Sequence, residues 1–185
     1  MHDLVFVPIT ELSRRLDTAS VDAETLTRTF FDHLNGAGGA LNCFITLCED
    51  AALDAARAAA MRASSGRRRG LLDGIPVAVK DNIDVAGVPT SNGFGGPPWR
   101  IPDEDAEVVR RLRAAGAVIL GKLNMHEGAM GATNDNPHHG RAINPHRSGH
   151  SPGGSSGGSG AAVAGGLCCA ALGSDTGGSV RIPAS

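Results

Sequence analysis

The segment from Gly153 to Ser179 constrains this chain more than any other. It reads Gly153-Gly154-Ser155-Ser156-Gly157-Gly158-Ser159-Gly160, passes through an apolar stretch, and resumes at Gly173-Ser174-Asp175-Thr176-Gly177-Gly178-Ser179. Glycine costs backbone entropy on folding, so such density is retained where the chain must turn sharply or approach another group closely. The 26 glycines among 185 residues follow neither a collagen-like repeat nor a linker-like one. Backbone is being used here for something that side chains would obstruct. The segment predicts a small-residue helix over 157–166, a buried strand over 168–173 and a tight turn over 174–178.

Upstream, apolar residues at three- and four-residue spacing predict helices over 10–16 and 20–34, with Ser20 as N-cap and Asn35-Gly36 as the stop. A strand over 43–47 and an Ala-rich helix over 50–63 follow. Ser64 to Gly70 reads as an exposed loop whose arginines, Arg67, Arg68 and Arg69, are solvated rather than bound to an anionic partner. From Gly74 the order becomes strand (75–79), helix (105–115) and strand (117–120), which is an α/β pattern. The expected fold is a mixed sheet flanked by helices, with residues 1–66 a mainly helical N-terminal region and 67–185 an α/β core.

Several chemistries are excluded at this level. A formal charge of −2, with Arg and Asp/Glu scattered along the chain, offers no basic surface to a phosphate backbone, so nucleic acid is not a direct partner. Gly116 to Leu123 nearly spells a phosphate-binding loop, but Leu123 stands where a metal-binding hydroxyl is needed and the residues between the glycines read as a strand. His138, His139, His146 and His150 lie in an irregular segment without metal-ligand spacing and read as loop histidines. Cys43, Cys48, Cys168 and Cys169 lack paired spacing and read as core cysteines. No metal or organic cofactor is expected. The first residues show neither a basic leader nor a long apolar run, which leads to the expectation of a cytoplasmic protein without membrane contact.

Two serine-bearing glycine motifs, with Ser155 and Ser179 24 residues apart, invite nucleophilic chemistry, and a serine needs a base within hydrogen-bond reach. Lys80, at the end of the apolar run Ile75-Pro76-Val77-Ala78-Val79, is placed to lose its charge by desolvation. The two motifs, together with Gly74-Ile75-Pro76-Val77-Ala78-Val79-Lys80-Asp81-Asn82, resemble the amidase-signature family, and the similarity runs from about Leu41 to the end of the chain. By that resemblance Ser179 is the nucleophile, Ser155 the bridging serine after a cis peptide bond, and Lys80 the base. The backbone amides of Thr176, Gly177, Gly178 and Ser179 form the oxyanion hole, and Ser156, Asp175 and Arg181 brace the site. Gly128 and His146 depart from the residues many relatives carry at those positions.

The resemblance implies hydrolysis of a small carboxamide through an acyl-enzyme. Within the family, the alternative is the glutaminase component of a tRNA-dependent amidotransferase, with partner subunits; a homodimer is the assembly expected otherwise. Two further readings stay open. Gly154-Ser155-Ser156-Gly157-Gly158 satisfies the GxSxG nucleophile elbow with Ser156 as nucleophile, and the glycine loops alone suit a non-catalytic anion-binding module. Family domains are more than twice as long as this chain. It is therefore expected to be the N-terminal part of one such domain, and to be inactive alone.

Overall fold

The computed structural model describes residues 4–97 and 99–185. Its centre is a four-stranded mixed sheet in the order β1-β3-β2-β4, built from β1 (Phe44–Leu47), β2 (Pro76–Lys80), β3 (Val118–Leu123) and β4 (Ala170–Leu172). β2 runs parallel to both β3 and β4, and β1 pairs antiparallel with β3. Every residue of β2 and β3 is buried. Strands covered on both faces need apolar side chains at successive positions, which is why 75–79 and 117–120 read as unbroken apolar runs rather than alternating ones.

The helices follow the apolar periodicity closely. α1 (Ile9–Asp17), α2 (Ala23–Asn35) and α3 (Glu49–Ser64) precede the parallel strands, and α4 (Glu107–Ala114) joins β2 to β3. α2 packs on α3, and both reach the central strands. Leu12, Leu26, Phe30, Ile75, Val79, Val118, Leu120 and Leu167 meet in one core. α5 (Gly157–Ala164) packs against β2, β3 and β4, and a short α6 (Arg181–Ala184) packs on α5. Because β1 pairs with β3, the mainly helical N-terminal region contributes a strand to the same sheet as the rest of the chain.

Three expectations need correction. The N-cap of α2 is Asp22, not Ser20: the Asp22 carboxylate accepts the Thr25 N–H at 2.8 Å, whereas the Ser20 hydroxyl turns back to the Arg15 carbonyl. The strand expected to be buried over 168–173 is the half-exposed edge strand β4, because nothing among the described residues pairs with its outer side. The basic loop is not simply solvated. Arg67 and Arg69 are exposed, but Arg68 folds inward to donate to the Ser13 carbonyl (3.0 Å) and the Asp73 carbonyl (2.8 Å) and to pair with Asp17, tying the loop to α1. Asp73 itself is buried and takes both Arg62 and the Arg69 N–H.

The four cysteines are free, with Cys43 and Cys168 buried and the other two half-buried. Burial pushes the Cys43 and Cys169 thiols up to about 12, which keeps them protonated. Gly116 to Leu123 lies largely in β3, so its amides serve the sheet rather than a phosphate loop. Among the described residues no helix is long and apolar enough to cross a membrane.

Candidate active site

Three parallel strands end on the same side of the sheet, and their carboxyl ends bring together residues far apart in sequence. β2 ends at Lys80, β3 leads into Asn124, and β4 leads through Gly173 into Ser174. The carboxyl edge of a parallel sheet is where α/β folds habitually gather ligands and chemistry, because the loops that follow the strands converge there.

Lys80 is wholly buried at this edge. Its Nζ lies 2.7 Å from Ser155 Oγ and 2.9 Å from Ser174 Oγ. Desolvation pushes its pKa down to about 8, with the more distant Asp175 carboxylate pulling the other way. An ammonium with no exposure and two neutral hydroxyls as neighbours loses more hydration than it regains, so the equilibrium shifts toward the neutral amine relative to a solvated lysine. Lys122, the second lysine of the chain, is also wholly buried, but it is paired with Asp81 at 3.6 Å and donates to Thr90 Oγ1 at 3.0 Å. Asp81 in turn holds the turn after β2, accepting the N–H groups of Ser91 (3.0 Å) and Gly93 (3.3 Å). One buried lysine is thus ion-paired while its neighbour along the sheet edge meets only hydroxyls.

Ser155 follows a cis peptide bond from Gly154 and is fully buried. Its turn is clamped from several sides. The His126 N–H donates to the Ser155 carbonyl at 3.0 Å, and Asn134 Oδ1 accepts the Gly157 N–H at 3.0 Å. A Cβ on Gly154 would stand 2.8 Å from both Asn134 N and the Gly131 carbonyl, so only glycine fits. The Ser156 N–H donates to the Ser179 carbonyl at 3.0 Å, which brings the two serine motifs against each other. Ser156 Oγ is engaged with the Ser174 N–H and carbonyl, each at 3.3 Å. This leaves Ser156 poorly suited to be an elbow nucleophile, and no strand precedes it in the irregular run 149–153.

Ser179 is half-buried, and its hydroxyl makes no hydrogen bond among the described residues. The turn carrying it is organised by Asp175, whose carboxylate accepts the N–H groups of Gly178 (2.7 Å), Val180 (2.9 Å) and Arg181 (3.1 Å) and the Arg181 guanidinium. The Arg181 side chain, then these amides, hold the Asp175 carboxyl well below the usual carboxylate range. Gly178 sits at φ +120°, a region open to glycine alone. With Gly178 N–H committed to Asp175, the amides of Thr176, Gly177 and Ser179 are the ones left without a partner among the described residues. Thr176 and Gly177 are exposed. The expected donor set therefore loses Gly178 in this arrangement.

Nothing in the sequence singles out Ser174 and Asn82 as a pair, yet they meet at 2.9 Å beside Lys80. Asn82 lies two residues beyond Lys80 and Ser174 inside the second glycine motif, but only the folded chain shows that they touch. The four loop histidines stand apart from Lys80. His138 pairs with Glu127 at 2.9 Å, His139 lies against Trp99, and His146 and His150 are exposed. A cleft of about 830 Å³ opens between the 144–153 loop, α5 and α6; Ser156, Val180 and Ile182 line it, but Lys80, Ser155 and Ser179 do not. It flanks the serine turns without containing the lysine and serine groups.

Comparison with known proteins places the fold and the family. The chain is 46% identical over 166 residues to the A subunit of glutamyl-tRNA(Gln) amidotransferase from Anaeromyxobacter dehalogenans (strain 2CP-C), a match spanning 90% of this chain and 34% of that protein. The corresponding protein of Azoarcus sp. (strain BH72) is 48% identical over 182 residues, 98% of this chain and 37% of that protein. The crystal structure of native peptide amidase from Stenotrophomonas maltophilia superposes with a TM-score of 0.88 at 38% identity, covering 96% of this chain and 38% of that one. The chain thus spans little more than a third of the length of the relatives it matches. The Amidase family model matches residues 25–185, a stretch that takes in the buried lysine and both serine turns, and the chain belongs to the amidase family.

Proposed function

We propose that this chain carries the acyl-transfer centre of an enzyme that hydrolyses a small carboxamide. Ser179 attacks the carbonyl carbon, Ser155 passes the released proton to Lys80, and the proton then goes to the departing amine. The amides of Thr176, Gly177 and Ser179 receive the negative charge that develops on the carbonyl oxygen. The observation that carries the reading is the buried contact of 2.7 Å between Lys80 Nζ and Ser155 Oγ, with the lysine pushed down to about 8. That value leaves a usable fraction of neutral amine near neutral pH, which is what a general base requires. Asp175 and Arg181 act by holding the nucleophile turn, and Ser156 by pinning the two serine motifs together.

A second reading applies the same centre to glutamine, with the released ammonia passed to partner subunits. The relatives at 46% and 48% identity favour it, since both are named as A subunits of a glutamyl-tRNA(Gln) amidotransferase. Both readings need the same nucleophile. In the complete protein bearing this segment, a fluorophosphonate probe should label Ser179, and Ser179→Ala should abolish both labelling and amide turnover with the fold intact. Near-normal turnover by that variant would remove Ser179 from the mechanism.

A further inference from the structure

Ser174 belongs to no element of the mechanism proposed above, yet it touches the lysine, the bridging-serine turn and the end of β2 at once. Its hydroxyl oxygen accepts Lys80 Nζ and Asn82 Nδ2, each at 2.9 Å. Its backbone N–H and carbonyl both bond to Ser156 Oγ at 3.3 Å. It therefore links the end of β2, the Ser155-Ser156 turn and the nucleophile turn. We propose that Ser174, with Asn82 filling its second lone pair, is a positioning residue that takes one N–H of Lys80 and so aims the amine's lone pair at Ser155 Oγ.

The argument is one of hydrogen-bond counting. A hydroxyl oxygen has two lone pairs, and the donors Asn82 Nδ2 and Lys80 Nζ occupy both. A neutral primary amine has two N–H bonds and one lone pair. With one N–H held by Ser174, rotation about the terminal C–N bond is restrained, and Ser155 Oγ at 2.7 Å is placed to meet the lone pair. The transfer then balances: the Ser155 hydroxyl proton moves to Lys80 Nζ as Ser155 Oγ takes the proton of Ser179, whose oxygen electrons form the bond to the carbonyl carbon. Without Ser174, the amine is free to turn an N–H toward Ser155 instead. The inference rests on the reading of Lys80 as base.

The chain has two lysines, Lys80 and Lys122. Labelling lysine with ¹⁵N at Nζ therefore yields two side-chain signals, and loss of one in Lys80→Arg assigns it. The charged group facing Lys80 at longer range is Asp175, which every variant retains. In Ser174→Ala the ammonium loses an acceptor, and the Lys80 titration midpoint should fall by about one pH unit, the scale expected for a hydrogen bond to a charged group. Ser174→Thr should restore the midpoint, and Asn82→Ala should move the Lys80 signal without a Ser174 change. A midpoint unmoved in Ser174→Ala, or moved equally in Ser174→Thr, overturns the proposal. Fluorophosphonate labelling of Ser179 in the complete protein bearing this segment tests the catalytic reading separately. Absent labelling with the Lys80 shifts intact sinks that reading but not the grip of Ser174 on Lys80; normal labelling with an unmoved Lys80 does the reverse.

Discussion

Replacing Lys80 by methionine should change how the stability of this chain depends on pH. In the folded chain Lys80 loses its proton around pH 8, against an ordinary value of 10.5. Below pH 8 both folded and unfolded chains carry the charge, and the fold bears the whole cost of burying it. Between about 8 and 10.5 the unfolded state binds the extra proton, so stability rises with pH through that window. At 1.36 kcal/mol per pH unit, the relief between pH 7 and pH 10 is roughly 2.5 kcal/mol. Lys80→Met removes this dependence. It also removes the partner of Ser155 Oγ, a loss that is the same at both pH values and drops out of the comparison. The thiols act in the opposite direction: Cys43 and Cys169 stay protonated in the fold up to about 12 but ionise near 9 when unfolded, which destabilises both proteins alike as pH rises. The assay is urea unfolding followed by far-ultraviolet circular dichroism, on parent and variant, at pH 7 and pH 10. The difference in unfolding free energy should move by roughly 2.5 kcal/mol in favour of the parent at the higher pH. A difference that stays constant would mean that the Lys80 charge is as well solvated in the fold as in the unfolded chain, and the assignment of Lys80 as base would fall with it.

Two further substitutions test how the scaffold holds the site. Arg68→Ala should lower stability by about 1–3 kcal/mol in the same urea assay, because the buried Ser13 and Asp73 carbonyls lose their charged donor; an unchanged midpoint would restore the solvated-loop reading. Gly158→Ala should cost about 3 kcal/mol, since a Cβ there would run into the Asn124 backbone, where no flexible side chain can give way. Gly177→Ala, with no atom within 4 Å of the added Cβ, is the control and should leave the melting temperature unchanged.

Much of this molecule was legible before folding was considered. The apolar runs before Lys80 and over 117–120 announced strands of an α/β core, and the fold covers them on both faces, where no polar alternation is needed. The glycine spacing marked both serine turns, because only backbone without Cβ atoms passes so close to neighbouring segments. Local chemistry also has limits that particular residues expose. Asp22 rather than Ser20 caps α2 because the carboxylate reaches two donors of Thr25, its N–H and its hydroxyl, while Ser20 is drawn back to α1. Arg68 turns inward because the carbonyls of Ser13 and Asp73 come near it, an encounter between segments 55 and 5 residues away along the chain. From sequence alone come the residue types, their order and the places where the backbone must be bare. Tertiary structure alone decided that Lys80 meets Ser155 and Ser174 across 75 and 94 residues, that Asp175 rather than an oxyanion takes the Gly178 amide, and that Lys122 is ion-paired while Lys80 is not. Such contacts depend on which strand ends lie side by side, and that follows from the packing of the whole sheet rather than from any local preference.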